Sequence, residues 1–249
     1  VLNWCAERWV QFNDAIFDTF LTTRWQIRGL EGIRRDGHYL VISNHISWVD
    51  IFAAQRALRL AHAPLFRFFL KHTLAWSPLV GQAAWALEFP FMRRYSPEYL
   101  QQHPEKRGRD LETTRIACER YRDIPVTILN YVEGTRFSLE KQDEQQSPYR
   151  YLLRPRVGGI AFVLASMGDQ LEAIYDLTVV YPEGDVTMLD FITNRLPWIH
   201  VEARRLEIPR EFATPAVTVA GPERESFKVW VEELWREKDE LIGRVRGRP

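Results

Sequence analysis

Asn44-His45-Ile46-Ser47-Trp48-Val49-Asp50 places an imidazole and a carboxylate five residues apart. Each residue of an α-helix turns the chain by ~100°, so two side chains five apart on one continuous helix sit ~140° apart. His45 and Asp50 therefore meet only if His45 lies in a turn ahead of the helix that carries Asp50. In that arrangement Asp50 bonds one ring nitrogen and fixes the tautomer, and the other nitrogen can act as a general base. Three plainer readings compete. Asn44 or Ser47 could cap a helix whose first turn favours Asp50, with His45 incidental. His45 and Asp50 could be a metal pair, which is weak without a third ligand nearby. Ser47 could be a covalent nucleophile, but it lacks the strained G-x-S-x-G turn.

A second polar cluster, Glu133-Gly134-Thr135-Arg136, again follows an apolar run. Gly134 permits a tight turn, Thr135 offers a hydroxyl, and Arg136 can grip a phosphate bidentately. Glu133 could bond a substrate hydroxyl or hold Arg136; the bland alternative is a polar turn with a local ion pair. In Phe91-Met92-Arg93-Arg94 an apolar stretch ends in two arginines, the preferred partners of phosphate oxygens or simply a solvated positive end.

These clusters need elements to hold them. His38–Ser43, Pro125–Val132 and Tyr175–Tyr181 are short apolar runs bounded by polar turns and read as buried strands. Val186–Phe191 and Trp198–Ala203 read as a further strand pair. Residues 1–25, Ile51–Leu60, Pro64–Ala75, Asp110–Tyr121, Gly158–Met167 and Phe227–Arg244 read as helices, with Pro64 in a first turn. Leu79–Met92 is ambiguous, and the charged, Gln-rich Leu139–Pro148 reads as an exposed loop. Strands alternating with helices predict a single α/β domain, with a mixed, largely parallel sheet flanked by helices. Its expected span is 33–215, after an N-terminal amphipathic segment at 1–32 and before a C-terminal amphipathic helix at 216–249. Functional residues of such sheets gather at the carboxyl ends of strands, where both polar clusters fall.

Composition narrows the classes. The chain has 249 residues, 46% apolar and 27% charged, which suits a folded core rather than disorder. Lys plus Arg and Asp plus Glu each number 33, so the zero net charge gives no footprint for nucleic acid. Cys5 and Cys118 lie far apart with no CxxC pattern, which predicts neither a disulfide framework nor a zinc site and fits a reducing compartment. Nine tryptophans suit a boundary between apolar and wet surroundings or an aromatic-rich core. No run reaches the ~18 apolar residues of a spanning helix. The chain starts at Val1 rather than Met and reads as a fragment or a trimmed chain, so any anchor would precede Val1. Trp4, Trp9, Val10, Phe12, Ile16, Phe17, Phe20 and Leu21 give the first helix a broad apolar face, suited to packing or to a membrane surface.

Taken in order, NHISWVD, FMRR, EGTR and the later AIYDLTVVYP resemble the blocks of the glycerolipid acyltransferase superfamily over roughly residues 35 to 185. That family is marked by N-H-x4-D, a phosphate-binding block ending in Arg, and E-G-T-R. KHTLAWSPLVGQAAWALEFPFMRR, YVEGTRFS and IYDLTV are similar to its lysophosphatidate and lysocardiolipin acyltransferase-like branch. Where many members carry F-P before E-G-T-R, this chain has Tyr131-Val132, and it has Tyr175-Asp176 where many carry proline in the last block. The resemblance implies transfer of a fatty acyl group from acyl-CoA or acyl carrier protein to the free hydroxyl of a lysophospholipid. The default acceptor is 1-acyl-glycerol-3-phosphate; remodelling of lysophosphatidylglycerol or lysocardiolipin is the alternative, and a non-catalytic membrane-binding module on the same fold is another. It implies His45 and Asp50 as the catalytic pair and Arg94, Glu133, Gly134, Thr135 and Arg136 as substrate-binding. It implies no metal or organic cofactor, a bilayer as partner, and a membrane-associated enzyme working on the cytoplasmic side. Leu65–Leu70 (LFRFFL), beside Lys71, is a second candidate for membrane contact.

Overall fold

The computed structural model describes residues 2–68, 70–71, 75–77, 80–87, 89, 91–92, 103, 116, 118–121, 123–183 and 185–247. Its centre is a six-stranded sheet: β1 (Arg24–Arg28), β2 (His38–Ser43), β3 (Phe66–Phe68), β6 (Val126–Tyr131), β7 (Ala173–Val180) and β8 (Trp198–Leu206), in the order β1-β8-β7-β2-β6-β3. All neighbours are parallel except β7 and β8. This is the mixed, largely parallel sheet that the alternation of elements predicts. A separate two-residue pair joins β4 (Leu70–Lys71) to β5 (Phe91–Met92).

The central strands are apolar on both sides because helices cover both faces. Leu40, Ile42, Ile128 and Val180 point to one core, with Ile160 and Leu164 of α5 (Gly158–Met167) and Phe227, Val231 and Trp235 of α7 (Pro222–Arg246). Tyr39, Val41, Leu129, Tyr175 and Val179 point to the other, with Val49, Ala53 and Ala57 of α2 (Val49–Leu60). Burying a side chain of this size stabilises by ~1.5–3 kcal/mol, and the two faces together pin the register of β2, β6 and β7.

Helix α1 (Leu2–Phe20) ends earlier than the predicted residues 1–25. The chain turns, and Arg24-Trp25-Gln26-Ile27-Arg28 joins the sheet edge beside β8. Its period-two alternation of long polar and apolar residues is a strand pattern that the preceding helical run masks. Gly29 follows with φ +80, and a Cβ there would lie 1.8 Å from the Ala203 carbonyl oxygen, so only glycine fits beside β8. α1 docks on α2 through charge. Asp14 pairs with Arg56 at 3.4 Å and with Arg59, and Asp18 pairs with Arg56 at 2.6 Å. Trp4, Trp9, Phe12 and Phe20 are left exposed. Among the described residues no helix is long and apolar enough to cross a membrane.

Three further expectations are corrected. Among the described residues of Pro64–Ala75 the expected helix is replaced by strand: the aromatic run Phe66-Arg67-Phe68 pairs with β6 as an edge strand, where β-prone aromatics and open backbone partners outweigh the helical reading. Leu139–Glu144, read as loop, forms α4, with the Ser138 hydroxyl accepting from the Lys141 amide at 3.3 Å. Val186–Phe191, read as strand, contains α6 (Met188–Ile192), started by a capping box between Thr187 and Asp190. The ambiguous Leu79–Met92 contains α3 (Val80–Ala86) and β5. Most of the helix expected at Asp110–Tyr121 lies outside the described residues.

Candidate active site

β2 and β6 run parallel, with Ser43 opposite Tyr131, so the two polar clusters leave adjacent strands at the same carboxyl end. Backbone bonds stitch them together. The Val132 amide donates to the Ser43 carbonyl at 3.1 Å, and the Phe137 amide to the His45 carbonyl at 2.7 Å. Asn44 closes the other side: its side chain accepts from the Val179 amide and donates to the Val179 carbonyl, both at 2.9 Å, extending the β2–β7 ladder by one rung.

His45 lies in the turn before α2, and Asp50 in the first turn of that helix. His45 Nδ1 is 2.8 Å from Asp50 Oδ2. A carboxylate only accepts, so Nδ1 is the donor of this bond and Nε2 is the ring nitrogen left for a reactant. Oδ2 also accepts from the Ile46 amide at 2.6 Å and the Ser47 amide at 2.8 Å, which wraps the turn around the carboxylate. Oδ1 accepts from the Tyr181 hydroxyl at 2.6 Å. Asp50 is fully buried, while the His45 side chain keeps 17% exposure, enough for a reactant to reach it. The Tyr131 ring stacks on the imidazole, with centroids 4.2 Å apart and planes at 19°. Ser47 Oγ is an acceptor for the Val49 amide at 3.2 Å.

The second turn folds around Glu133, which is fully buried. Its Oε1 accepts from the His45 amide and its Oε2 from the Leu153 amide, each at 3.0 Å. Burial pushes its carboxyl up to about 8, opposed by these two amides. Gly134 has φ 69, a conformation that favours glycine, and its amide donates to the Tyr131 carbonyl at 3.0 Å. Lys141 of α4 reaches back, donating to Thr135 Oγ1 at 3.0 Å and to the Arg136 carbonyl at 2.9 Å. The Arg136 guanidinium lies 4.8 Å from the centre of the Trp48 ring. Stacking on an aromatic face leaves the N–H edge of a guanidinium open to an anion.

The structure therefore brings His45, Asp50, Glu133, Gly134, Thr135 and Arg136 to one end of the sheet. Arg93 and Arg94 lie outside the described residues. Tyr181, Lys141 and Trp48 join the site without having been singled out for it. Trp48 sits inside the first motif, and Tyr181 ends the last apolar block; Lys141 hides in the segment read as loop.

A family model described as Acyltransferase matches residues 24–182. The chain belongs to the acyltransferase family. The acyltransferase match runs from β1 to just past β7, so it covers every site residue above. Among curated relatives, this chain is 25% identical over 97% of its length to "Lysocardiolipin acyltransferase 1" of Danio rerio, covering 62% of that protein. It is 23% identical to "1-acyl-sn-glycerol-3-phosphate acyltransferase epsilon" of Mus musculus, over 82% of this chain and 56% of that one. The chain thus spans a little over half to three-fifths of these relatives. Among solved structures, the 1-acyl-sn-glycerophosphate (LPA) acyltransferase PlsC of Thermotoga maritima superposes with a TM-score of 0.56 at 16% identity. That superposition covers 96% of this chain and 79% of that one and is a likeness of fold.

Proposed function

We propose that this acyltransferase moves a fatty acyl group from acyl-CoA, or acyl carrier protein, to the free hydroxyl of a lysophospholipid, with 1-acyl-glycerol-3-phosphate as the first candidate acceptor. The observation that carries the reading is the 2.8 Å bond between His45 and Asp50, on a turn stitched through the Phe137 amide to the turn that carries Arg136. A thioester is already activated, so no covalent enzyme intermediate is needed. His45 Nε2 takes the hydroxyl proton as the oxygen attacks the thioester carbon. The C–S bond breaks as the new ester C–O bond completes, and the proton on His45 passes to the departing thiolate. Asp50 stabilises the imidazolium in between, as in the triad logic without the serine. General-base help of this kind contributes ~10²–10⁴-fold.

Arg136, with Arg94 as its partner, holds the acceptor phosphate, and Thr135 and Gly134 shape the turn that presents it. Fixing the phosphate places the hydroxyl near His45, and positioning of this kind is a large share of catalysis. Glu133 serves by fixing the His45 and Leu153 backbone rather than by touching the substrate. Both substrates partition to bilayers, so α1, with Trp4, Trp9, Phe12 and Phe20 outward, would rest at a membrane surface on the cytoplasmic side. The similarity to lysocardiolipin acyltransferases over 97% of the chain favours a second reading, in which lysocardiolipin or lysophosphatidylglycerol is the acceptor.

The test is thiol release from acyl-CoA by detergent-solubilised protein against a panel of lysophospholipids. Acceptor-dependent release that drops by about 10²-fold or more in His45→Ala is expected. Near-normal transfer by a folded His45→Ala protein would end the assignment of His45 as base.

A further inference from the structure

The Asp50 carboxylate has two oxygens, and only Oδ2 faces His45. Oδ2 is crowded by three donors. What fixes the plane of the carboxylate is the donor on the other oxygen, the Tyr181 hydroxyl at 2.6 Å. Tyr181 is fully buried on the same face of the sheet as α2, at the point where the chain leaves β7. Burial and the adjacent Asp50 push its hydroxyl well above the ordinary tyrosine range, so it stays a donor throughout the working pH range. An unpartnered oxygen on a buried carboxylate is costly, and the carboxylate would rotate to relieve it.

Tyr181 is itself held from behind. Arg246, in the last turn of α7, donates from Nε to the Tyr181 carbonyl at 3.1 Å and from Nη2 to the Glu183 carbonyl at 3.2 Å. Its guanidinium lies 4.9 Å from the centre of the Tyr151 ring, which limits its motion. A continuous set of bonds thus runs from the end of α7 through Tyr181 to Asp50 and then His45. Helix α7 lies beyond the residues that the family model matches.

We propose that Tyr181 is a positioning residue for the His45–Asp50 pair, and that Arg246 on the C-terminal helix holds Tyr181 in place for that task. The inference rests on His45 acting as the base. When the imidazole takes the acceptor proton, the positive charge must meet a carboxylate already in plane with it. Tyr181 supplies that orientation and exchanges no proton itself. The structure's other support for Asp50, the Ile46 and Ser47 amides, cannot replace it, because both bond the oxygen that His45 uses.

The test compares Tyr181→Phe, Arg246→Ala, the double variant and His45→Ala in the thiol-release assay, with thermal unfolding of each. Tyr181→Phe should lower kcat by about 10- to 100-fold, the loss of a hydrogen bond to a charged group. KM for acceptor and donor should change by less than about twofold, because Tyr181 is fully buried behind Asp50. Arg246→Ala should lower kcat by about 3- to 10-fold. In the Tyr181→Phe background it should add less than about twofold, since no hydroxyl is left to misplace. A folded Tyr181→Phe protein with unchanged kcat overturns the proposal, as does a Tyr181→Phe effect confined to KM or to thermal stability. Fully multiplicative effects in the double variant overturn the part played by Arg246. If Tyr181→Phe does not fold, Arg246→Ala alone decides: a kcat loss at unchanged KM supports the chain of bonds, and an unchanged kcat refutes it. Inactive His45→Ala beside normal Tyr181→Phe rejects this proposal and leaves the base intact. Active His45→Ala rejects the base and the proposal together.

Discussion

The Glu133→Gln substitution exchanges one buried acceptor oxygen for an NH2 donor and changes little else. The native carboxyl takes the His45 amide on one oxygen and the Leu153 amide on the other, both at 3.0 Å. A protonated carboxyl still has a lone pair on each oxygen and can accept both amides, whereas a glutamine could satisfy one and would present its NH2 donor to the other. A buried N–H left unpaired costs about 1–3 kcal/mol. For a chain of this size that is a fall in Tm of roughly 2–12 °C. The pH dependence sharpens the test. Burial raises the Glu133 carboxyl from its ordinary 4.5 to about 8 in the folded protein. The folded state therefore holds a proton that the unfolded state has released across that window. Stability from this group is fully present below pH 4.5 and is lost as pH rises through about 8. The glutamine amide does not titrate, so the penalty of the variant relative to the native protein should be largest near pH 5 and shrink by pH 9. Urea unfolding of both proteins at the two pH values reads this directly. An undiminished penalty at pH 9 would refute the raised carboxyl, and no penalty at either pH would refute the clamp on the His45 turn.

Two other perturbations separate phosphate grip from stability. Trp48→Ala removes the face on which Arg136 stacks, and Trp48 is half-exposed, so unfolding should barely move while acceptor KM rises about 3- to 10-fold with kcat nearly kept. Steady-state kinetics with varied lysolipid checks it, and an effect on acyl-CoA alone would count against it. Lys238→Met strands Asp176, whose Oδ1 lies 2.6 Å from the Lys238 ammonium beneath α7. The loss should be about 3–5 kcal/mol in denaturant unfolding, toward the lower end because Arg204 also reaches Asp176 at 3.2 Å.

The central strands are legible from sequence because both faces of β2, β6 and β7 are buried, which leaves unbroken apolar runs closed by polar turns. The two polar turns are legible for the same reason, since each begins where such a run stops. Pairing His45 with Asp50 needs only helix geometry and a turn, both local. The partners of Glu133 and Asp50 are another matter. Glu133 meets the His45 amide 88 residues away, and Tyr181 meets Asp50 across 131. Those meetings depend on which strands lie side by side and in what register, and nothing in the local pattern states it. The errors have local causes as well. Phe66-Arg67-Phe68 carries no period long enough to identify an edge strand, and the capping signals at Ser138 and Thr187 open helices of only six and five residues. Helices that short offer no periodicity, so their caps are the only clue.

The rungs between Ser43 and Val132 and between His45 and Phe137 have a consequence for how this chain can change. The stretch from 132 to 137 must cross between two fixed rungs, and the turn from 43 to 45 must match it. A substitution inside either turn alters one side chain and leaves the rungs in place. An added or deleted residue shifts a rung, and with it the carbonyl of His45 or the amide of Phe137. The constraint from these rungs is therefore on spacing: they are backbone to backbone and specify no side chain, whereas the count of residues between them is locked across two distant stretches of chain at once.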